Sequence, residues 1–137
     1  MKVVQINAVY KLSSTGRTVM EMDDFLKSHG IESFKFYSVN IKGSNPYDII
    51  GNHFDHKVHA LMSRVFGTQA WFSFFPTKSL LRKLDEIQPD IVILRNFHSN
   101  YIHFPLLAKY LAKRDIATVV VLHDCWFFTG HCCHYTE

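Results

Sequence analysis

Two short runs in the second half of the chain, Asp90-Ile-Val-Ile-Leu94 and Ile116-Ala-Thr-Val-Val-Val-Leu122, have no polar face. A strand of that kind reads as buried on both sides, which is the habit of parallel sheets covered by helices. The first segment, Lys2 to Val9, is β-branched and apolar in the same way and reads as a buried strand. Ile31 to Val39 alternates, with Phe34 and Phe36 on one face, and reads as a second strand. Helical patterns fill the spaces between these strands. Val19, Met22, Phe25 and Leu26 form one stripe, with Glu21, Asp23 and Asp24 on other faces, and Gly30 sits at the expected C′ position. Val58, Leu61, Met62, Val65 and Phe66 form another, closed by Gly67. Leu80, Leu81, Leu84 and Ile87 mark the buried face of a third helix with Pro76 at its first position, and Ile102 to Lys113 is a fourth. This alternation predicts an α/β domain over residues 1–137, with a doubly wound, Rossmann-like parallel sheet.

The chain has 137 residues, 47% of them hydrophobic and 20% charged, so it can bury a core and disorder is excluded. A net charge of +3 with lysines and arginines scattered lacks the footprint of a nucleic-acid binder. Neither a signal peptide nor a run of about 20 apolar residues is present. The three cysteines, Cys125, Cys132 and Cys133, crowd into one end rather than spreading as a disulfide framework does. A reducing cytoplasm is the simplest compartment.

Ligands of an open parallel sheet bind beyond the carboxyl ends of its strands. Two of the segments placed there carry unusual residues. In Ser13-Ser-Thr15-Gly16-Arg17, at a helix start, backbone N–H groups would attract a phosphate, Gly16 would allow close approach and Arg17 would add a bidentate contact. The same residues also make an ordinary helix cap with a solvated arginine. The dinucleotide fingerprint G-x-G-x-x-G is missing, which disfavours NAD. In the second segment, His123 and Asp124 directly follow a strand, where they would touch a substrate hydroxyl or move a proton. The alternative is a histidine that caps the strand and packs on Trp126. Cys125, Cys132 and His134, with Cys133 and His131, also admit a metal reading, although no C-x-x-C pair occurs.

The aromatic run Trp71 to Phe75 has core packing as its ordinary role. Its other reading is an exposed apolar patch, flanked by Arg64, Lys78, Arg82 and Lys83, that touches a membrane surface. The remaining histidines, His53, His56, His59, His98 and His103, read as surface or loop residues.

Three stretches together resemble the bacterial family 4 glycosyltransferases, retaining enzymes of the GT-B fold that act in capsular and exopolysaccharide assembly. They are Lys2-Val-Val-Gln-Ile-Asn-Ala-Val-Tyr10, the Ser14-Thr-Gly-Arg17 turn, and His123-Asp-Cys-Trp-Phe-Phe-Thr-Gly-His-Cys132. The resemblance covers essentially the whole chain, and its terminal motif is the most specific part. It implies a longer, two-domain enzyme with the active site in the cleft between Rossmann-like halves. The amino-terminal half would hold a glycan or lipid-linked acceptor, and the other half a nucleotide-sugar donor. By that resemblance Thr15, Gly16 and Arg17 would face the donor diphosphate. His123 and Asp124 would lie by the reacting sugars, with no metal or other cofactor required. Peripheral contact with the inner face of the plasma membrane fits the same picture.

The sequence ends at Glu137, inside the loop after the fourth strand. The nucleotide-binding half is therefore expected to be absent, the 137 residues inactive alone, and a sheet edge exposed. Two other classes compete: a non-catalytic flavodoxin-like binding domain, and a small Cys/His metal-binding or hydrolytic domain.

Overall fold

A computed structural model describes residues 1–39, 41–97 and 99–129. Its centre is a four-stranded, all-parallel sheet of β1 (Lys2–Ile6), β2 (Glu32–Phe36), β3 (Ile91–Leu94) and β4 (Ala117–Val120), in the order β2-β1-β3-β4. β1 lies between its two neighbours in register, so Val4 faces Phe34 on one side and Val92 on the other. Among the described residues, five helices accompany the sheet: α1 (Ser13–Ser28), α2 (His53–Phe66), α3 (Phe74–Ile87), α4 (Phe104–Arg114) and the short α5 (Trp126–Thr129). A 3-10 turn at Pro46–Asp48 interrupts the long connection between β2 and α2.

The alternation along β1 shows how one strand serves two groups of helices. Val4 and Ile6 are fully buried in a core with Leu80 and Leu84 of α3, Leu107 and Leu111 of α4, and Val92 and Leu94 of β3. Gln5, between them, is equally buried and donates from Nε2 to the carbonyl of Val19 in α1 at 3.2 Å. That bond gives a buried amide a partner, which its desolvation requires.

Several sequence expectations are corrected here. The fourth strand is not buried on both sides: Ala117, Thr118, Val119 and Val120 are all exposed, at the edge of the sheet. Of the stripe expected on α1, Val19 and Leu26 are buried while Phe25 faces out. Asp23, assigned to a polar face, is buried instead and holds an ion pair with Lys27 at 2.8 Å and with Lys35 at 3.7 Å. α1 starts at Ser13, so Thr15, Gly16 and Arg17 lie within its first two turns. Leu12 is its N-cap and makes no side-chain capping bond. Pro76 is the third residue of α3 rather than its first, since the helix begins at Phe74.

α2 departs most from expectation. Only His59 is buried, and Val58, Leu61, Val65 and Phe66 are exposed. Its ends are nonetheless well defined. Asn52 and Asp55 form a reciprocal capping box, and Gly67 closes the helix with a φ of 65°, a left-handed value glycine adopts without a Cβ penalty.

Candidate functional site

All four strands are parallel, so their carboxyl ends share one edge, and the connections that follow β1, β3 and β4 meet there. Arg95, the first residue after β3, joins them. Its backbone N–H continues the ladder by donating to the Ile6 carbonyl at 2.9 Å. Its side chain is only 4% exposed, and one Nη donates to Thr18 Oγ1 of α1 at 3.1 Å. The same nitrogen stands 3.5 Å from Nε2 of His123 in the segment after β4. Among the described residues no carboxylate pairs with this guanidinium, and its Nε has no partner. Burial favours the neutral form and lowers its pKa from the usual arginine value. A buried cation without an acid is costly, and an incoming anion is the chemical group that relieves it.

His123 is exposed as a residue, with Nε2 turned towards Arg95. Desolvation of the ring, followed by the charge of Arg95, lowers its pKa, while Asp124 opposes the shift. The ring is therefore held neutral at pH 7, able to accept from a hydroxyl or take its proton. Asp124 accepts from the Trp126 N–H at 2.9 Å through Oδ1, which anchors the start of α5. Trp126 is buried, packs edge-on against Phe104, and donates from Nε1 to Gln69 Oε1 at 2.7 Å. The tryptophan thus fixes the segment that carries His123 to the body of the domain.

The turn after β1 is tightly built. Lys11 and Ser13 both adopt left-handed backbone angles, at φ 63° and 59°. Gly16 is buried, and a Cβ there would stand 3.2 Å from Lys11 N and 3.3 Å from the Tyr10 carbonyl carbon. Its missing side chain therefore lets the helix close onto its own entry loop. The Lys11 N–H donates to the Gly16 carbonyl at 3.1 Å and locks that contact. Thr15 is half-buried, and Arg17 lies exposed on the same helical turn. The structure brings α1 and His123 together through Arg95, a residue sequence reasoning passed over. Its signal was an arginine placed directly after a strand with no polar residue.

Beside this edge, a cleft of about 550 Å³ opens between the ends of β1 and β2 and the start of α2, with Ala8, Ser38, His53, His56, Lys57 and Asn100 among its lining. Ser38 is tied down by its Oγ, which donates to the Ala8 carbonyl at 2.9 Å, and His56 Nε2 lies 3.1 Å from the Ile50 carbonyl. Asn7, at the end of β1, is buried with Nδ2 donating to the Val9 carbonyl at 2.8 Å, while Oδ1 is left without a partner. The cleft is thus lined by hydrogen-bonding groups on a fixed frame.

No known protein family model, curated protein or solved structure matches this chain.

Cys125 is a half-buried free thiol. Cys132, Cys133, His131 and His134, the other residues of the metal reading, lie outside the described residues, as does His98. Among the described residues, no three His, Cys, Asp or Glu side chains gather into a metal-binding group. Two of the histidines read as surface groups have fixed structural positions: His59 is buried, and His103 caps α4 by accepting from the Leu106 N–H.

Proposed function

We propose that this chain forms the acceptor-side domain of a retaining GT-B glycosyltransferase. The reaction moves a sugar from a nucleotide-sugar donor to a glycan or lipid-linked acceptor, in the cytoplasm, during cell-surface polysaccharide synthesis. The observation that carries the reading is the Arg95 guanidinium, buried without a carboxylate partner among the described residues and set between α1 and His123. Together with the His123-to-Cys132 motif, it supplies what a sugar diphosphate needs: a cation for the leaving charge and a neutral imidazole for hydroxyls. Thr15, Gly16 and Arg17 belong to the donor side of that edge, and the histidine-lined cleft beside it suits the acceptor's hydroxyl groups.

In this mechanism Arg95 offsets charge that builds on the departing diphosphate. His123 binds a hydroxyl of the reacting sugars, and Asp124 keeps the His123 segment in place through the Trp126 N–H. The chemistry calls for no metal or other cofactor. A doubly wound sheet belongs to the same reading, supported by β1, whose Gln5 bonds α1 while Val4 and Ile6 pack with α3 and α4. The 137 residues alone hold the acceptor side and turn over no sugar nucleotide.

The test is transfer, followed as nucleotide release from a panel of nucleotide sugars, by the longest polypeptide containing this chain in frame. Arg95→Ala and His123→Ala are each expected to lower turnover about a hundredfold. Turnover that survives both substitutions, or transfer by the 137 residues alone, would overturn the proposal.

A further inference from the structure

The cleft beside the carboxyl edge of the sheet does not end at Asn100. A second cavity, of about 410 Å³, adjoins it, sharing Ala60 and Asn100 and continuing along Ser63, Arg64 and Gln69. One wall of both is α2. His53, His56, Lys57, Ala60, Ser63 and Arg64 line them at helical spacing, which gathers these side chains within about a third of the helix circumference. From His53 to Arg64 this wall runs about 16 Å along the helix axis. The joined cavities form a groove too long for one sugar ring and suited to several in a row.

The groove is separate from the exposed apolar residues of this region. Phe54, Val58, Leu61 and Val65 lie in line on another face of α2. Trp71 and Phe75, 55% and 80% exposed, do not make the core packing that an aromatic run ordinarily provides, and they too stand outside the groove. The wall opposite α2 includes the Ser99–Asn100 turn. Tyr101 and Ile102, directly after that turn, are fully buried, and Tyr101 Oη donates to the Asn96 carbonyl at 2.9 Å. Asn100 has a left-handed φ of 43°, which asparagine adopts more readily than most residues. Its amide, with both donor and acceptor, therefore stands on an anchored turn where the two cavities meet.

The lining has one sign of charge. Lys57 and Arg64 are exposed, and neither holds an ion pair among the described residues, unlike Lys27, Lys35 and Arg114. Among the described residues no Asp or Glu lines either cavity. Asp55, the one acid of α2, lies on another face of the helix and accepts from the Asn52 N–H. The described lining also holds no Phe, Tyr or Trp ring, the flat apolar platform on which a neutral sugar would pack. Lys57 and Arg64 stand about 11 Å apart along the axis, close to the step between acid groups on alternate sugars of an extended chain.

We propose that this groove binds an acidic oligosaccharide laid along α2, with two of its carboxylates at Lys57 and Arg64 and its hydroxyls at Asn100 and His56. The choice of a glycan rests on the acceptor-side reading given above. The groove narrows that acceptor to a growing chain that carries uronic acids, in place of a single sugar on a lipid. An acidic peptide would meet the same two cations. The neutral hydrogen-bonding groups beside and between them, His56, Ser63 and Asn100, favour a polyhydroxylated chain instead. No helix among the described residues is long and apolar enough to cross a membrane, and the groove needs none.

The experiment is calorimetric titration of the purified chain with di-, tetra- and hexasaccharides of hyaluronan and of galacturonan, with chitohexaose as the neutral counterpart and hexaglutamate as the acidic peptide. Affinity is expected to rise about tenfold from disaccharide to hexasaccharide of at least one acidic series, and to fall about tenfold for chitohexaose. Lys57→Gln with Arg64→Gln is expected to weaken the acidic hexasaccharide about tenfold. Asn100→Gly is expected to weaken it about fivefold and to keep the turn, since glycine takes left-handed angles freely. Leu61→Ser with Phe75→Ser, outside the groove, leaves binding unchanged, and far-ultraviolet circular dichroism reports whether each variant keeps its fold. No binding of either acidic series, no gain with length, or equal affinity for chitohexaose or hexaglutamate overturns the proposal. Transfer by the longest polypeptide to neutral acceptors alone would sink the groove's assignment and leave the transferase standing. Binding as described, with no transfer to any acceptor, would do the reverse.

Discussion

His59 sits in the second turn of α2 with 1% of its surface exposed, its Nδ1 sharing a 2.6 Å hydrogen bond with Ser73 Oγ and its Nε2 without a partner. Burial, reinforced by the neighbouring His56 and His103, pushes its pKa down to about 4. The folded chain therefore keeps this ring neutral where an unfolded chain, with a histidine pKa near 6.5, takes up a proton. The unfolded state binds more protons between pH 6.5 and about 4, so stability falls as pH drops through that window. It is whole above pH 6.5 and loses no more once the folded ring also titrates. The loss attributable to this group is about 3 kcal/mol. Urea unfolding from pH 8 to pH 4 checks it, and His59→Gln is expected to flatten the slope in that interval. An unchanged slope in the variant would remove the assignment. Nothing in the spacing of His56 and His59 tells which of them is buried; that follows from where Ser73 and Phe72 come to rest. Arg95 was hidden for the same reason: the run Ile91 to Leu94 announces a strand, but the absence of a carboxylate partner among the described residues is a property of the assembled edge.

At the scale of elements, helix ends were more legible than helix faces. Gly30 and Gly67 stand where the chain leaves a helix with left-handed angles, and of the face expected on α3, Leu80, Leu84 and Ile87 are buried while Leu81 is half-buried. The start of α2 is set by a local device. Asn52 Oδ1 accepts from the N–H groups of Phe54 and Asp55 at 2.8 and 3.0 Å, and Asp55 Oδ2 accepts from the Asn52 N–H at 3.0 Å. Asn52→Ala removes two of these three bonds and is expected to cost about 1 kcal/mol, read from the urea midpoint. A change below a few tenths would mean that tertiary contacts with α3 hold this helix without its cap. The four strands, too, fall within the runs that predict them, although each is shorter than its run. Periodicity failed on α2 because it says which residues lie in line, not which line faces the core. With His59 turned to Ser73, the apolar line faces water. The run Trp71 to Phe75 misleads similarly, since aromatic content measures a preference for burial and not the room for it.

For the molecule as a whole, the two edges of the sheet are finished differently. Beyond β2 the chain folds back, so that Tyr37 pairs with Ile49 in a parallel bridge, and Lys35 reaches Asp23 and Asp48 across that side. The edge at β4 has no comparable cover among the described residues, and Val119 and Val120 are 48% and 43% exposed. Leu94, Phe104, Leu111 and Ile116 border a groove that runs along Thr118 and Val120 on one side of this strand. An open, β-branched edge offers unpaired N–H and C=O groups to any other strand, and inward or edge lysines are the common means of blocking such pairing. Val119 alternates away from the groove residues Thr118 and Val120, so a lysine there would reach solvent without disturbing α4. Val119→Lys is therefore expected to reduce concentration-dependent association in light scattering while moving stability by no more than about 0.5 kcal/mol. Association that continues undiminished would shift attention from β4 to the apolar face of α2. Light scattering of the Leu61→Ser, Phe75→Ser variant separates these sites, because those substitutions leave the sheet edge as it is.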